Sequence, residues 1–178
     1  MSRATTLDEY RDTPQAEEII EELGQSRVEA ALADAELIDT AANYFASFHD
    51  GSVGFVLRLS DEPVLEQIYE GEQPSVPSVS HTRHSRDRAA ERGFYDREVI
   101  ELAKDGVLGR DEDGIVAFNR LFDDTVIIPL GDNGKIKTVF SRQGRDGKLR
   151  LGGQPVDRPT RSYRERRADR NSKYEHLL

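Results

Sequence analysis

The chain has 178 residues with 34 acidic and 25 basic side chains, a net charge of -9 and 33% charged residues, which suits one sizeable core or one compact domain with an appended element. It contains no cysteine, which excludes disulfides, thiol catalysis and Cys-based zinc sites. No run of 18 apolar residues occurs, and the first residues, MSRATTLDEYRD, lack the apolar stretch of a secretory signal, so a cytoplasmic or particle-associated protein without a membrane partner is expected.

Charge is segregated along the chain. Residues 1–80 carry 4 basic and 17 acidic side chains, whereas residues 142–178 carry 11 and 5. Lysine is scarce and arginine dominates the cations, a composition that resembles proteins of salt-loving organisms. In molar salt the Debye length falls to about 3 Å, so recognition of nucleic acid would rest on close contacts.

Residues 1–13 show no periodicity and read as a flexible arm. Thr13 and Pro14 open a short helix through Ile19, Ile20 and Leu23, closed by Gly24. A longer helix is expected from Ser26 to residue 48, with Glu29 as capping-box partner. Its Val28, Ala31, Ala35, Ile38, Ala42 and Phe45 form a near-heptad seam for its own core, or for a protein partner or second copy. Residues 52–60 alternate strictly, with Val53, Phe55, Leu57 and Leu59 on one side of a strand. Pro63 opens another expected helix, through Val64, Leu65, Ile68 and Tyr69 to Gly71.

The domain boundary falls in a Pro/Ser linker, residues 73–80, which separates the acidic helical portion 1–72 from a domain at 81–142. No internal repeat is visible across it. A helix then ends at Gly93, and a second, with Asp96 at its start and Val99, Ile100 and Leu102 as anchors, stops at Asp105-Gly106. A short strand at 107–108 precedes the polar loop GRDEDG. Strands follow at 115–122, with Val116, Phe118 and Phe122 on one face, at 125–130 and at 135–141, the last two joined by the turn Gly131-Asp132-Asn133-Gly134. The DEDG and GDNG loops lack the alternating oxygen ligands and distal Glu of a calcium loop, and His81 with His84 has no third ligand, so no metal or other cofactor is expected. The basic tail, residues 143–178, is largely extended, with a possible polar helix at 162–174, and fits either a nucleic-acid backbone or an acidic protein surface.

The stretch from His84 to Gly106 concentrates the candidate chemistry. On a helix His84, Arg88 and Arg92 fall at i, i+4 and i+8, one face with two guanidiniums and one group that titrates near neutrality. Asp87 and Glu91 can pair with the arginines, so a solvated, salt-bridged face is the competing explanation.

His84, Arg88, Arg92, Gly93 and Phe94, followed by the helix Arg97 to Leu102, Gly106 and a late segment Ile136 to Phe140, resemble over residues 81–142 a small family of unknown function among the RelE, barnase, EndoU and colicin ribonuclease-like toxins. The resemblance implies an α+β fold of two helices on a small antiparallel sheet, after a helix-rich N-terminal portion. It also implies metal-independent RNA cleavage: His84 as base or acid, Arg88 and Arg92 on the phosphate, and Thr138 hydrogen-bonding a phosphate oxygen or the attacking group. His81, Lys137 and Arg142 would supply further substrate contacts. That ribonuclease is the leading expectation; the alternative, of a different class, is a non-catalytic structural or adaptor protein of a large assembly such as a virus particle, joined through the acidic N-terminal portion, the 26–48 helix and the basic tail.

Overall fold

The computed structural model describes residues 6–142 and two short strands, 148–151 and 154–157. A 3-10 turn at Leu7–Glu9 leads into β1 (Arg11–Asp12), α1 (Pro14–Leu23) and α2 (Gln25–Asp34). The strands β2 (Glu36–Ala41), β3 (Phe45–His49), β4 (Val53–Arg58) and β5 (Val64–Glu70) complete the first half. The second half runs β6 (Ser80–His81), α3 (Arg83–Glu91), α4 (Asp96–Lys104), β7 (Val107–Asp111), β8 (Gly114–Leu121), β9 (Asp124–Leu130), β10 (Lys135–Ile136) and β11 (Phe140–Ser141). The strands β12 (Lys148–Leu151) and β13 (Gln154–Asp157) pair with each other in a sheet of their own.

These elements build two mixed sheets, ordered β1-β5-β4-β3-β2 and β6-β10-β9-β8-β7, with β11 also paired to β9. The α+β expectation of a helix-rich first portion and one small antiparallel sheet is therefore corrected: each half carries a four-strand meander, closed by a short parallel strand. Two regions account for the error. The helix expected at 26–48 ends at Asp34, and Glu36–Ala41 with Phe45–His49 forms a hairpin. Ala42 and Asn43 take φ of 52° and 54° there, as an I′ turn requires, and β-branched Ile38 and Thr40 favour the strand. The expected helix at 63–71 is β5. A bulge at Glu66 sets Leu65 opposite Leu57 and Ile68 opposite Phe55, so two residues three apart share one strand face, which is the spacing of a helix.

Smaller corrections follow. Leu7 and Tyr10 are buried, so the first residues described are a packed strap rather than an arm. Gly109 to Asp111 belong to β7 and not to a loop. Phe122 leaves the strand face at a turn with φ 55°.

The sheets face each other, with helices outside both. Val53, Phe55 and Leu57 of β4 pack with Leu65, Ile68, Val28, Ala31 and Leu32 under α1 and α2. Ile115, Ala117, Val126, Ile128 and Leu130 pack with Phe94, Val99 and Leu102 under α3 and α4. Between the sheets lie Phe45, Val56, Val107, Val116 and Phe118. Each large apolar side chain so buried contributes about 1.5–3 kcal/mol. The strand β7 touches β5, β4, β3 and β2, so strands of the two sheets cross. They approach closely at Gly109, where a Cβ would lie 3.0 Å from Val56 Cγ2 and 2.2 Å from Gln67 Oε1.

The two halves also repeat one topology, short strand, two helices, then four strands, although no repeat is visible in the sequence. Thr13 and Thr82 cap the first helix of each half and donate to Leu65 O and Ile136 O, the residues paired with Asp12 and His81. Gly24 and Gly93, with φ of 89° and 77°, end those helices at the same interval from their caps. Little else in the two sequences coincides, which is why the duplication is invisible to pattern reading.

Candidate functional site

The helix α3 starts where Thr82 Oγ1 accepts from Ser85 N at 3.0 Å, a cap that places His84 and Arg88 one turn apart on its exposed side. Ser85, fully buried, turns the other way. Its hydroxyl meets His81 Nδ1 at 2.8 Å, and His81 Nε2 lies 2.8 Å from Asp96 O. A carbonyl only accepts, so the ring donates through Nε2, and in the neutral ring Nδ1 accepts from the Ser85 hydroxyl, for whose single proton Thr82 O at 3.0 Å competes. Burial holds His81 below the usual imidazole range, Arg86 adds to that, and Asp96 opposes both. His81 is thus a neutral strut between β6, α3 and α4, turned away from the His84 face.

Arg88 pairs with Glu91 across one turn at 2.9 Å. Arg92 is the residue after the last turn of α3, with φ -97° and ψ 9°, so it leaves the helical stripe. Its Nη1 donates to Thr138 Oγ1 at 2.8 Å and to Val139 O at 2.6 Å, and its guanidinium stacks 4.5 Å above the Phe140 ring. Burial, then Arg88, lower the Arg92 pKa, and Glu91 opposes them. Thr138 stands between β10 and β11 and not on a strand. Arg92 and Thr138 are therefore the pair of sequence-derived site residues brought into contact. Their contact closes the gap between two strands.

The remaining cations lie elsewhere. Lys137 Nζ donates to Asp113 O in the β7–β8 turn. Arg142 pairs with the carboxylate of Glu66, on the bulge of β5, and Arg58 Nε lies 3.5 Å from its other oxygen. The Glu66 side chain is wholly buried. Burial raises its pKa more than Arg142 and Arg58 lower it. This buried ion cluster was missed because residues 63–71 look helical, which hides the pairing of Glu66 with anything distant. A cleft of about 380 Å³ opens between the Gln73–Val79 segment, Asp39, Lys104 and Leu108, and none of the seven site residues lines it.

Among the described residues no group of three or more His, Asp or Glu is placed to hold a metal ion, and no helix is long and apolar enough to cross a membrane. The arrangement presents one exposed histidine beside one paired arginine, with the other cations engaged in joining strands and sheets. Comparison with protein-family models, with curated proteins and with solved structures finds no match to this chain.

Proposed function

We propose that the protein is a non-catalytic structural or adaptor component of a larger assembly, working in the cytoplasm or within a particle, with its acidic first half and basic tail as contact surfaces. One observation supports this reading: Arg92, named as a phosphate ligand, and Lys137, Arg142 and His81, named as further substrate contacts, each bond to another part of the chain, Lys137 and Arg142 doing so at the surface. A phosphorane needs donors aimed at a shared point, and these four serve separate parts of the molecule. A second reading, metal-independent RNA cleavage, is favoured by the 2.8 Å contact of Arg92 with Thr138 and by the exposure of His84 and Arg88 on α3. There His84 would move the proton and Arg88 would hold the phosphate.

Labelled RNA incubated with the full chain and EDTA, at low and at molar KCl, separates the two. The adaptor reading expects intact RNA from protein shown to be folded. Cleavage that leaves a 2′,3′-cyclic phosphate and disappears in both His84→Ala and Arg88→Ala would overturn it.

A further inference from the structure

The first sheet ends at an open edge. β2 closes the order β1-β5-β4-β3-β2, and Glu36 to Thr40 are all exposed. Leu37 is 55% and Ile38 39% exposed, two of the four exposed large apolar side chains among the described residues. Exposed, apolar edge strands invite pairing with a further strand.

The register fixes what such a strand would meet. Leu37 pairs with Phe48, which packs under the helices, whereas Ala41 pairs with Phe45 between the sheets. Glu36, opposite His49, and Asp39, opposite Ser47, share the face of Phe45. The irregularity between Leu37 and Asp39 leaves Ile38 unpaired, so Glu36 and Asp39 become successive positions on that face. The edge thus presents two carboxylates one strand repeat apart on one face and Leu37 on the other.

The sequence of β12, Lys148-Leu149-Arg150-Leu151, is the complement of that edge: two cations one strand repeat apart, alternating with two leucines. β12 and β13 form only a two-stranded sheet, and a lone hairpin is marginal in water unless a third strand or a core supports it. Pro155 in β13 cannot donate to a ladder, which leaves β12 as the better outer edge.

Resting on the assembly reading above, we propose that β12 of a second copy of this chain adds to the edge of β2, extending the first sheet, with Lys148 and Arg150 against Glu36 and Asp39. Reciprocal exchange of the two hairpins gives a closed dimer with the same contact made twice. A second copy is favoured over the chain's own hairpin by reach. The Arg142 backbone is held by Thr125 O of β9, in the second sheet. The six residues from Arg142 to Lys148 span about 20 Å at full extension, so the chain's own hairpin would have to leave that sheet on a taut connection to lie along β2. The carboxylates that repel other strand edges make the match selective.

The test uses full chains and sedimentation equilibrium over a concentration series. The native chain is expected to dimerise reversibly, and Glu36→Lys/Asp39→Lys and Lys148→Glu/Arg150→Glu each to sediment as monomers. Mixed in equal amounts, the two variants regain both charge matches and are expected to form a 1:1 heterodimer. A native chain that stays monomeric, or variants that do not associate when mixed, would overturn the proposal. Protection of the β2 amides from hydrogen exchange in a monomer would assign the edge to the chain's own hairpin. Either failure leaves the RNA experiment, and the adaptor reading it tests, untouched.

Discussion

Gly54 offers a direct test of the strand pairing and packing in the first sheet. It lies on β4 opposite Tyr69 of β5, and a Cβ built on it would fall 1.9 Å from Tyr69 Cζ and 2.3 Å from the hydroxyl oxygen. Ordinary carbon contacts need about 3.5–4.0 Å, so in Gly54→Ala the ring has to move by well over an ångström. It has little room, being 4% exposed with the His49 ring centroid 5.9 Å away. Overpacking of this kind costs about 1–3 kcal/mol, and partial ejection of the ring adds some of the 1.5–3 kcal/mol gained by burying a large side chain. We expect Gly54→Ala to lose about 2–4 kcal/mol, which at a urea slope of about 2 kcal/mol/M lowers the midpoint by about 1–2 M. Burial pushes the Tyr69 hydroxyl up to about 12, with Arg110 opposing, so its displacement should also bring one late tyrosine down in an absorbance titration. Tyr69→Ala in the Gly54→Ala background should cost less than the two single changes added together. A Gly54→Ala midpoint within experimental error of the native chain would refute the placement of Tyr69 over Gly54.

Glu66 is buried against Arg142 and Arg58, so Glu66→Ala, which strands two guanidiniums, should cost about 3–5 kcal/mol in urea unfolding at neutral pH. Because its folded pKa is raised, the native state holds this proton more tightly than the unfolded chain, and the native chain should gain stability relative to Glu66→Gln as pH falls through the folded pKa; an unchanged difference at pH 7.5 and 4.5 would count against this. His81 has the opposite sign: its folded pKa is lowered, so the stability it confers is complete above the unfolded value and fades as pH falls towards the folded one. Melts of the native chain should therefore drop between pH 7.5 and 5.5 by more than those of His81→Asn, and parallel curves would refute the neutral strut. Arg92→Ala removes two hydrogen bonds and the Phe140 contact and should cost about 1.5–3 kcal/mol, with Arg92→Lys recovering only part; a loss under about 0.5 kcal/mol would free Arg92 for another role.

What the chain disclosed in advance were elements whose signals are local. The cap of α1 by Thr13, its end at Gly24 and the alternation of Val53, Phe55 and Leu57 all stand in the structure as expected. The second half from Gly93 onward also follows the expected order of helix, strands and turn. What remained hidden depended on bulges and on pairing at a distance. One extra residue in β5 gave Leu65 and Ile68 helical spacing, and the near-heptad seam from Val28 to Phe45 crosses a helix, a strand edge and a turn. The candidate site was legible only as a list. Helical spacing placed His84 and Arg88 on one face, but Arg92 left that face because Gly93 ends the helix there, and no sequence period reports that Arg142 reaches Glu66. The expected polar helix at 162–174 lies outside the described residues.

The internal repeat bears on how the Arg92–Thr138 contact is read. Leu65 and Ile136 are equivalent, since each pairs with the last residue of its short parallel strand. Three residues further on, Ile68 and Val139 are then equivalent, and both are fully buried. In the first half a side chain from the first helix grips that residue: Gln15 Nε2 donates to Ile68 O at 2.7 Å, and Gln15 Oε1 accepts from Ile68 N at 3.1 Å. In the second half Arg92 performs the corresponding task from the far end of α3, donating to Val139 O. The second half needs a longer reach because its last strand is broken between Ile136 and Phe140, where β5 runs on unbroken. The same demand, a helix tied to the final strand of its own sheet, is met by an amide in one half and a guanidinium in the other. Gln15 does this work with no charge from a different position on its helix, so Arg92 has a structural reason to stand where it does, independent of any contact with a ligand.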